Sequence, residues 1–350
     1  MKILHVITSL EIGGAQRLLA DILPILAKAE SVSLLVFKRV FNEFEKNIEN
    51  KGIEIISMNQ HNFYNPSAIL RMRKIFKDFD LIHVHLFPTL YWASLAAIGL
   101  KVKLVYTVHS TFDRRRNKRY FRPIERFIHS RYDKIISISQ QTQDAITSWL
   151  GQDDERFIVI NNGVDTEKFT SLNVPVVPKS LIMVSRFASS KDQETVIRAM
   201  QYVDKEANLR LVGDGEHRHF CENLATELGV SDRIHFLGSR TDVPELVASS
   251  YIGIQSSNWE GFGLTAVEIM ACGKPVIATN VDGLMQVVEG AGEVFTRGNA
   301  IELAQKINYL LKNLEYYNAM ADRCRQRANV YNISVMSENY LQLYKSMMII

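Results

Sequence analysis

The sequence predicts an α/β protein built from two doubly wound parallel sheets that face each other across a cleft, and three observations carry that expectation. Short apolar runs rich in β-branched residues alternate with amphipathic helical stretches over most of the chain, the pattern of sheets covered on both faces. The runs fall into two series, parted by a stretch without periodicity. The chain has 350 residues, 47% hydrophobic and 23% charged, which suits two domains that each bury a core.

The first series reads as strands at Ile3 to Thr8, Val32 to Phe37, Ile53 to Ser57, Leu81 to His85, Leu104 to His109, Lys134 to Ile138 and Phe157 to Ile160. Met1-Lys2 and the apolar residues behind it have the start of a short export signal. His5 and Thr8 interrupt the apolar core and no small-residue cleavage site follows, so the segment reads as a buried strand. Asn161-Asn162-Gly163-Val164-Asp165 is a turn, and the aperiodic segment to Pro178 reads as an interdomain linker. A first domain over 1–170 and a second over 171–330 follow. The second series runs through Leu181 to Ser185, Leu209 to Val212, Ile234 to Leu237, Tyr251 to Ser256 and Pro275 to Ala278, and after Gly298 the pattern is helical to the end.

In such sheets ligands bind beyond the carboxyl ends of the strands, so the loops there hold the candidate chemistry. The most informative is Ser257-Asn258-Trp259-Glu260-Gly261-Phe262-Gly263-Leu264, which leads from a strand into a helix expected to end at Gly273. Free N–H groups of Phe262, Gly263, Leu264 and Thr265 at that helix start attract an anion, and the glycines let backbone approach it. Glu260 stands before the helix and Glu268 a turn inside it, placed for hydroxyls on either side of a phosphate. That combination describes a nucleotide sugar. Arg186 and Lys191 follow the strand at Leu181 to Ser185 and can neutralise a diphosphate. Lys191 opposes the dipole of the next helix unless an anion is present. Gly213-Asp214-Gly215 is half of a dinucleotide fingerprint without its third glycine or its acidic ribose residue, which argues against nicotinamide chemistry.

In the first half, Gly13-Gly14 opens a helix after the first strand. His83 and His85 share one face of the fourth strand, and the core is the expected place for one of them. His109 ends the fifth strand, where its ring can orient a hydroxyl or donate to developing charge. Arg114-Arg115-Arg116-Asn117-Lys118-Arg119-Tyr120-Phe121-Arg122 holds six cations and two aromatics in nine residues. With a net charge of only +3 and no RNA-binding motif, this run reads either as a solvated helix start or as a site for a lipid diphosphate or an anionic membrane, and it points away from nucleic acid. Cys221, Cys272 and Cys324 lack metal-ligand spacing, so no metal site and a reducing compartment are expected. The richest apolar run, Leu90 to Leu100, is too short to span a membrane.

These blocks in this order resemble the family-four retaining glycosyltransferases of bacterial glycan assembly: Gly13-Gly14-Ala15, His109, Asn162-Gly163-Val164-Asp165, Ser185-Arg186 with Lys191, Gly213-Asp214-Gly215-Glu216, Phe236-Leu237-Gly238, and Glu260-Gly261-Phe262-Gly263 through Glu268 to Pro275-Val276. The resemblance implies the glycosyltransferase-B fold, two Rossmann-like domains, with residues 331–350 a final helix that packs back on the first. It implies a nucleotide diphosphate sugar as donor and no further cofactor. Donor contacts would come from Gly14, Arg186, Lys191, Gly213, Gly238, Glu260, Phe262, Gly263, Leu264 and Glu268, with His109, Glu260, Arg186 and Lys191 acting at the reacting centre. A glycan or polyprenyl-diphosphate-linked acceptor would meet His85, Arg114, Arg115 and Arg116, in a cytoplasmic protein attached peripherally to the inner face of the membrane. Where many relatives carry Gly-Gly and then Glu, this chain has Asp282-Gly283 and Gln286. A nucleotide-sugar epimerase of the same fold and an inactive nucleotide-sugar-binding regulator are the alternatives.

Overall fold

The structure is a computed structural model that describes residues 1–11, 13–111, 113–170 and 172–348, with the side chains of Arg114 and Asn117 outside the described set. The chain divides into two units, one formed by Met1–Gly163 with Ile333–Ile350 and the other by Val164–Asn332.

The first unit holds a seven-stranded parallel sheet of β1 Lys2–Ile7, β2 Ser31–Val36, β3 Glu54–Ser57, β4 Leu81–His85, β5 Lys103–Val108, β6 Lys134–Ser137 and β7 Phe157–Val159, in the order β3-β2-β1-β4-β5-β6-β7. The second holds β8 Ser180–Val184, β9 Asn208–Val212, β10 Ile234–Gly238, β11 Ile252–Gln255, β12 Val276–Thr279 and β13 Glu293–Phe295, in the order β10-β9-β8-β11-β12-β13. Each sheet therefore reverses direction at its centre, between β1 and β4 in one and between β8 and β11 in the other. Such a reversal opens a crevice beyond the strand ends, since the crossover helices on its two sides lie on opposite faces.

Strand alternation sorts the first core. Ile3 and Ile7 of β1, Leu81 of β4 and Val105 of β5 join one apolar cluster, while Leu4, Val6, Ile82, Val84, Leu104 and Tyr106 join the other. His5, His83, His85, Thr107 and His109 share the parity of the first set. The helix Ile333–Met348 covers that face with Ile333, Met336, Tyr340, Tyr344 and Met347. Gly163 marks how closely this helix start lies on the end of the first segment, because a Cβ there would sit 2.6 Å from the Ile333 Cα.

Two readings need correction. The strand Glu293–Phe295 was not expected; three residues at a sheet edge are too few to establish a period. The stretch expected to be a linker is folded onto the second unit: Phe169 of the helix Glu167–Thr170 is buried, and the Val177 N–H donates to the Ser249 carbonyl at 2.8 Å. The chain passes between units at Gly163/Val164, whereas the sequence boundary was drawn after residue 170. Among the described residues no helix is long and apolar enough to cross a membrane.

Candidate active site

The loops after β8 and β11 are stitched together at the second sheet's reversal. Lys191 and Ser257 form an isolated antiparallel bridge, the Asp192 N–H donates to the Ser256 carbonyl at 3.2 Å, and the Ser256 hydroxyl donates to the Asp192 carboxylate at 3.1 Å. The Asn258 N–H reaches the Ser190 carbonyl at 2.9 Å, while Ser257 N–H is held by the Thr279 hydroxyl at 2.8 Å. This framework brings Lys191 and Glu260 into an ion pair, each side chain about four-fifths buried. The Glu260 carboxylate answers the charge of Lys191 within the protein, and Asp192 caps the helix Gln193–Ala199 by accepting from the Thr195 N–H. Arg186 is exposed, and its side chain meets no carboxylate among the described residues. Its carbonyl accepts from Gln193 Nε2 at 3.0 Å, which fixes the loop but leaves the guanidinium outward.

The helix Leu264–Ala271 follows, with Gly263 as its N-cap in the left-handed region at φ 89°. A side chain at Gly263 would add a clash with Leu284 at 2.7 Å to the backbone strain. No side chain caps this end; the Ala266 N–H turns back to the Gly263 carbonyl at 3.0 Å, and the N–H groups before it have no partner within the helix. Phe262 is buried and packs edge-on against Tyr331 at 5.2 Å, so only its backbone can serve a ligand. Arg327 lies over Tyr331 at 5.2 Å and donates to the Gln286 and Val287 carbonyls at 2.7 and 3.1 Å, bracing the turn from behind. Gly283, at φ 83°, approaches Glu260 and Gly261 so closely that a Cβ would fall 2.5 Å from the Glu260 carbonyl oxygen. The departure at Asp282-Gly283 thus builds the Glu260 turn, and Gln286 Oε1 holds the Gly283 N–H at 2.8 Å. Glu268 is 3% exposed within the helix.

Gly213 and Gly215 serve the same framework. A Cβ on Gly213 would lie 2.1 Å from the Ser185 carbonyl oxygen, and one on Gly215 would lie 2.2 Å from that of Phe187. Both have positive φ, 127° and 152°. The loop after β9 therefore presses on the loop that carries Arg186. Gly238, at φ 67°, accepts the Gly213 N–H at 2.8 Å and follows the register shift that ends β10.

In the first unit, Gly14 begins the helix Gly14–Leu26 after β1. His109 is half-buried, and its Nε2 lies 3.0 Å from His85 Nδ1. His85 itself is 1% exposed, with Nε2 3.1 Å from His5 Nδ1. The expected contact of His85 with an acceptor is corrected accordingly, since both its ring nitrogens face other imidazoles. Burial pulls His109 down to about 4 and His5 to about 3, and holds His83 and His85 well below the ordinary range.

Within the basic run the roles divide. Arg115 pairs with Glu125 at 2.8 Å and with Asp113, and stacks over Phe87 at 4.0 Å. It is bound into the protein and unavailable to an anion, contrary to expectation. The side chain of Arg114 lies outside the described residues. Arg116 lines an open groove with Arg119, Arg122, Arg126, Ser148 and Trp149, so the basic surface extends past the run that the sequence suggested. Arg126, Arg327 and Tyr331 carry ordinary sequence signals and were not expected at the site; His5 was read only as a break in an apolar run, and Gly283 only as a departure from the family pattern.

Two family models match the chain: Glycosyltransferase Family 4 over residues 12–168 and Glycosyl transferases group 1 over 164–327. The N-acetyl-alpha-D-glucosaminyl L-malate synthase of Bacillus anthracis is 29% identical, over 77% of this chain and 74% of that protein. The UDP-Gal:alpha-D-GlcNAc-diphosphoundecaprenol alpha-1,3-galactosyltransferase of Escherichia coli is 24% identical, over 94% and 96%. The crystal structure of Anabaena HepE with UDP and glucose shares the fold, with a TM-score of 0.89, 24% identity, and 99% and 100% of the two chains covered. Both halves match in the order that the two sheets require, and the chain belongs to the group 1, family 4 glycosyltransferases with the glycosyltransferase-B fold.

Proposed function

We propose that this glycosyltransferase moves a sugar from a nucleotide diphosphate sugar to a glycan or polyprenyl-diphosphate-linked acceptor, with retention of anomeric configuration. The observation that carries the reading is the Lys191–Glu260 pair beside the open helix start at Gly263, at the sheet reversal where α/β proteins bind ligands. HepE was crystallised with UDP and glucose and with UDP-glucose, and the Escherichia coli relative is named for transfer from UDP-Gal to a diphosphoundecaprenol acceptor, which supports the donor and acceptor classes.

In this reading Arg186 and the N–H groups of Phe262, Gly263 and Leu264 take the diphosphate, and Lys191 is shared between it and Glu260. Glu260 accepts from the sugar hydroxyls and Glu268 from the ribose. Gly213 and Gly238 shape the donor loops; in the first unit His109 is the candidate group for a substrate hydroxyl. Breaking the anomeric C–O bond sends its electron pair onto the diphosphate, where Arg186, Lys191 and the helix start stabilise the growing charge. The acceptor oxygen bonds to the anomeric carbon from the same face and its proton passes to the departing phosphate, so atoms and charge balance without a covalent enzyme intermediate.

The basic region supports peripheral attachment at the inner face of the membrane. Tyr120, in the 3-10 turn Arg119–Phe121, and Ile124 and Phe127, one turn apart on the helix Arg122–His129, are 66%, 52% and 53% exposed, with Arg119, Arg122 and Arg126 on the same two elements. Apolar side chains rimmed by arginine suit an anionic bilayer, at about 1 kcal/mol per cation near its surface.

A panel of nucleotide sugars, with and without a polyprenyl-diphosphate-linked acceptor, tests the reading. Slow hydrolysis of one donor and transfer with retained configuration is the expected result; an inverted product would overturn retention, and indifference to every donor would overturn the reading. Changing Arg119, Arg122 and Arg126 to Gln should reduce cosedimentation with anionic vesicles while donor hydrolysis persists. Unchanged vesicle binding would refute the membrane assignment.

A further inference from the structure

Beneath His109 lies a polar chain for which the transferase reading has no use as yet. His109, His85 and His5 follow one another at 3.0 and 3.1 Å between ring nitrogens, and His5 stacks on His85 with centroids 5.3 Å apart and planes 9° from parallel. Strand pairing builds the row: His5 on β1 is directly opposite His83 on β4, which places His85 two residues further along the same face, and β5 then delivers His109. His83 packs against the row, 4.3 Å from the His85 ring, and spends its own nitrogens on the Tyr344 hydroxyl at 2.5 Å and the Thr107 hydroxyl at 2.7 Å.

The three nitrogens of His5, His83 and His85 are near enough to suggest a metal site, lying within 4.8 Å of one another. The bonding speaks against it. Both nitrogens of His83 and both of His85 already have partners, the site is closed to solvent, and no carboxylate is in the group to offset a cation.

A neutral chain of this kind has two arrangements, because each imidazole carries one N–H and one bare nitrogen. In one, His109 Nε2–H donates inward to His85, His85 Nε2–H donates to His5, and the proton on His5 Nε2 is left in the core. In the other, His5 Nδ1–H donates to His85 Nε2, His85 Nδ1–H donates to His109 Nε2, and His109 carries its proton on Nδ1, the nitrogen that the row does not use. His5 Nε2 is buried and has no hydrogen-bond partner among the described residues. Orphaned buried N–H groups are the rarest of unsatisfied groups, so the first arrangement is disfavoured. The second leaves only a bare nitrogen there.

We infer that His5 and His85 are positioning residues that fix the tautomer of His109, so that His109 presents Nδ1–H as a hydrogen-bond donor and does not accept a proton from a ligand. The inference rests on the transferase reading for its purpose: of the two roles that a histidine at this strand end can take, it selects donation to a substrate oxygen. Burial, which depresses the basicity of all three rings, keeps the chain neutral at physiological pH.

The test is a long-range proton–nitrogen correlation spectrum of the whole protein labelled with nitrogen-15 histidine, assigned by single substitutions. His109, His85 and His5 should each show a protonated Nδ1 and a bare Nε2. His85→Phe removes the inner donor, and the His109 resonances should shift toward protonation at Nε2; His85→Asn, which returns an N–H near the position of Nδ1, should reverse the shift. A protonated Nε2 on His109 in the unsubstituted protein overturns the inference, as does a His85→Phe spectrum in which His109 is unmoved. So does zinc bound in one equivalent and lost with His5→Asn, since the rings would then be ligands. Should the variants fail to fold, the unsubstituted spectrum alone decides. Donor hydrolysis measured on the same sample keeps the two claims apart: the expected tautomer without any activity leaves the relay standing and counts against the transferase reading.

Discussion

The two sheets share a strand order through their first six positions, yet they hold their polar groups in opposite ways. In the first unit the chemistry sits on the strands themselves, as His5, His83 and His85, with His109 one residue past β5. In the second it sits in the loops beyond the strands, as Arg186, Lys191 and Glu260, with Glu268 as the buried exception. A side chain on a central strand is enclosed on both sides by helices, so it must be neutral and bonded to its neighbours. One in a loop at the sheet reversal keeps some contact with water and can keep its charge. The same scaffold therefore yields a rigid neutral relay in one place and an anion-ready pair of loops in the other.

Lys191→Ala strikes the charged half and should have the largest effect. It removes a cation from the leaving group and strands Glu260, and turnover at saturating donor should fall by about 10²–10³, the loss typical of one preorganised donor. A rise in the Michaelis constant with turnover untouched would mean that Lys191 binds ground state and transition state alike.

Gly213→Ala tests whether the loops depend on backbone contact. The added Cβ would lie 2.1 Å from the Ser185 carbonyl oxygen at a φ of 127°, and the cost should be roughly 1–3 kcal/mol of stability, with donor binding weakened as the Arg186 loop shifts. Gly229→Ala is the control, since it too has positive φ but nothing within 4 Å of its Cβ. Equal thermal shifts for the two variants would show that loop contact contributes nothing beyond backbone conformation.

Acid should separate the halves more gently. His5 is lowered to about 3, His109 and His129 to about 4, and His83 and His85 well below 6.5, all by burial and all in the first unit. The unfolded chain takes up these protons first, so the stability they represent is complete above the unfolded value of about 6.5 and falls as pH drops toward the folded values, by about 1 kcal/mol per histidine for each pH unit. Hydrogen exchange below about pH 6 should then open the first unit before the second. The reverse order would contradict the neutral burial of the cluster.

Much of this contrast was legible in the sequence. Strand runs such as Leu81 to His85 are short and free of Asp, Glu, Lys and Arg, as burial on both faces requires. The Glu260 turn was equally plain, because Gly263 and the eight-residue spacing to Glu268 are local features. What escaped depends on distant partners. Nothing local in Arg115 says that Glu125 and Phe87 will claim it, and nothing in His5 says that β4 will lie beside it. Lys191 could be read as a cation wanting an anion, but its anion, Glu260, comes 69 residues later through the bridge to Ser257. The edge strand Glu293–Phe295 was missed because three residues cannot display a period.

The central claim is that the loops of the second unit hold a nucleoside diphosphate, and titration calorimetry with a panel of nucleoside diphosphates tests it most directly. One of them should bind the unsubstituted protein, and Glu268→Ala should weaken that binding by about 1.5–3 kcal/mol, the loss of hydrogen bonds to a charged group, with the fold retained. Failure of every nucleoside diphosphate to bind, or equal affinity in a folded Glu268→Ala protein, would contradict the account.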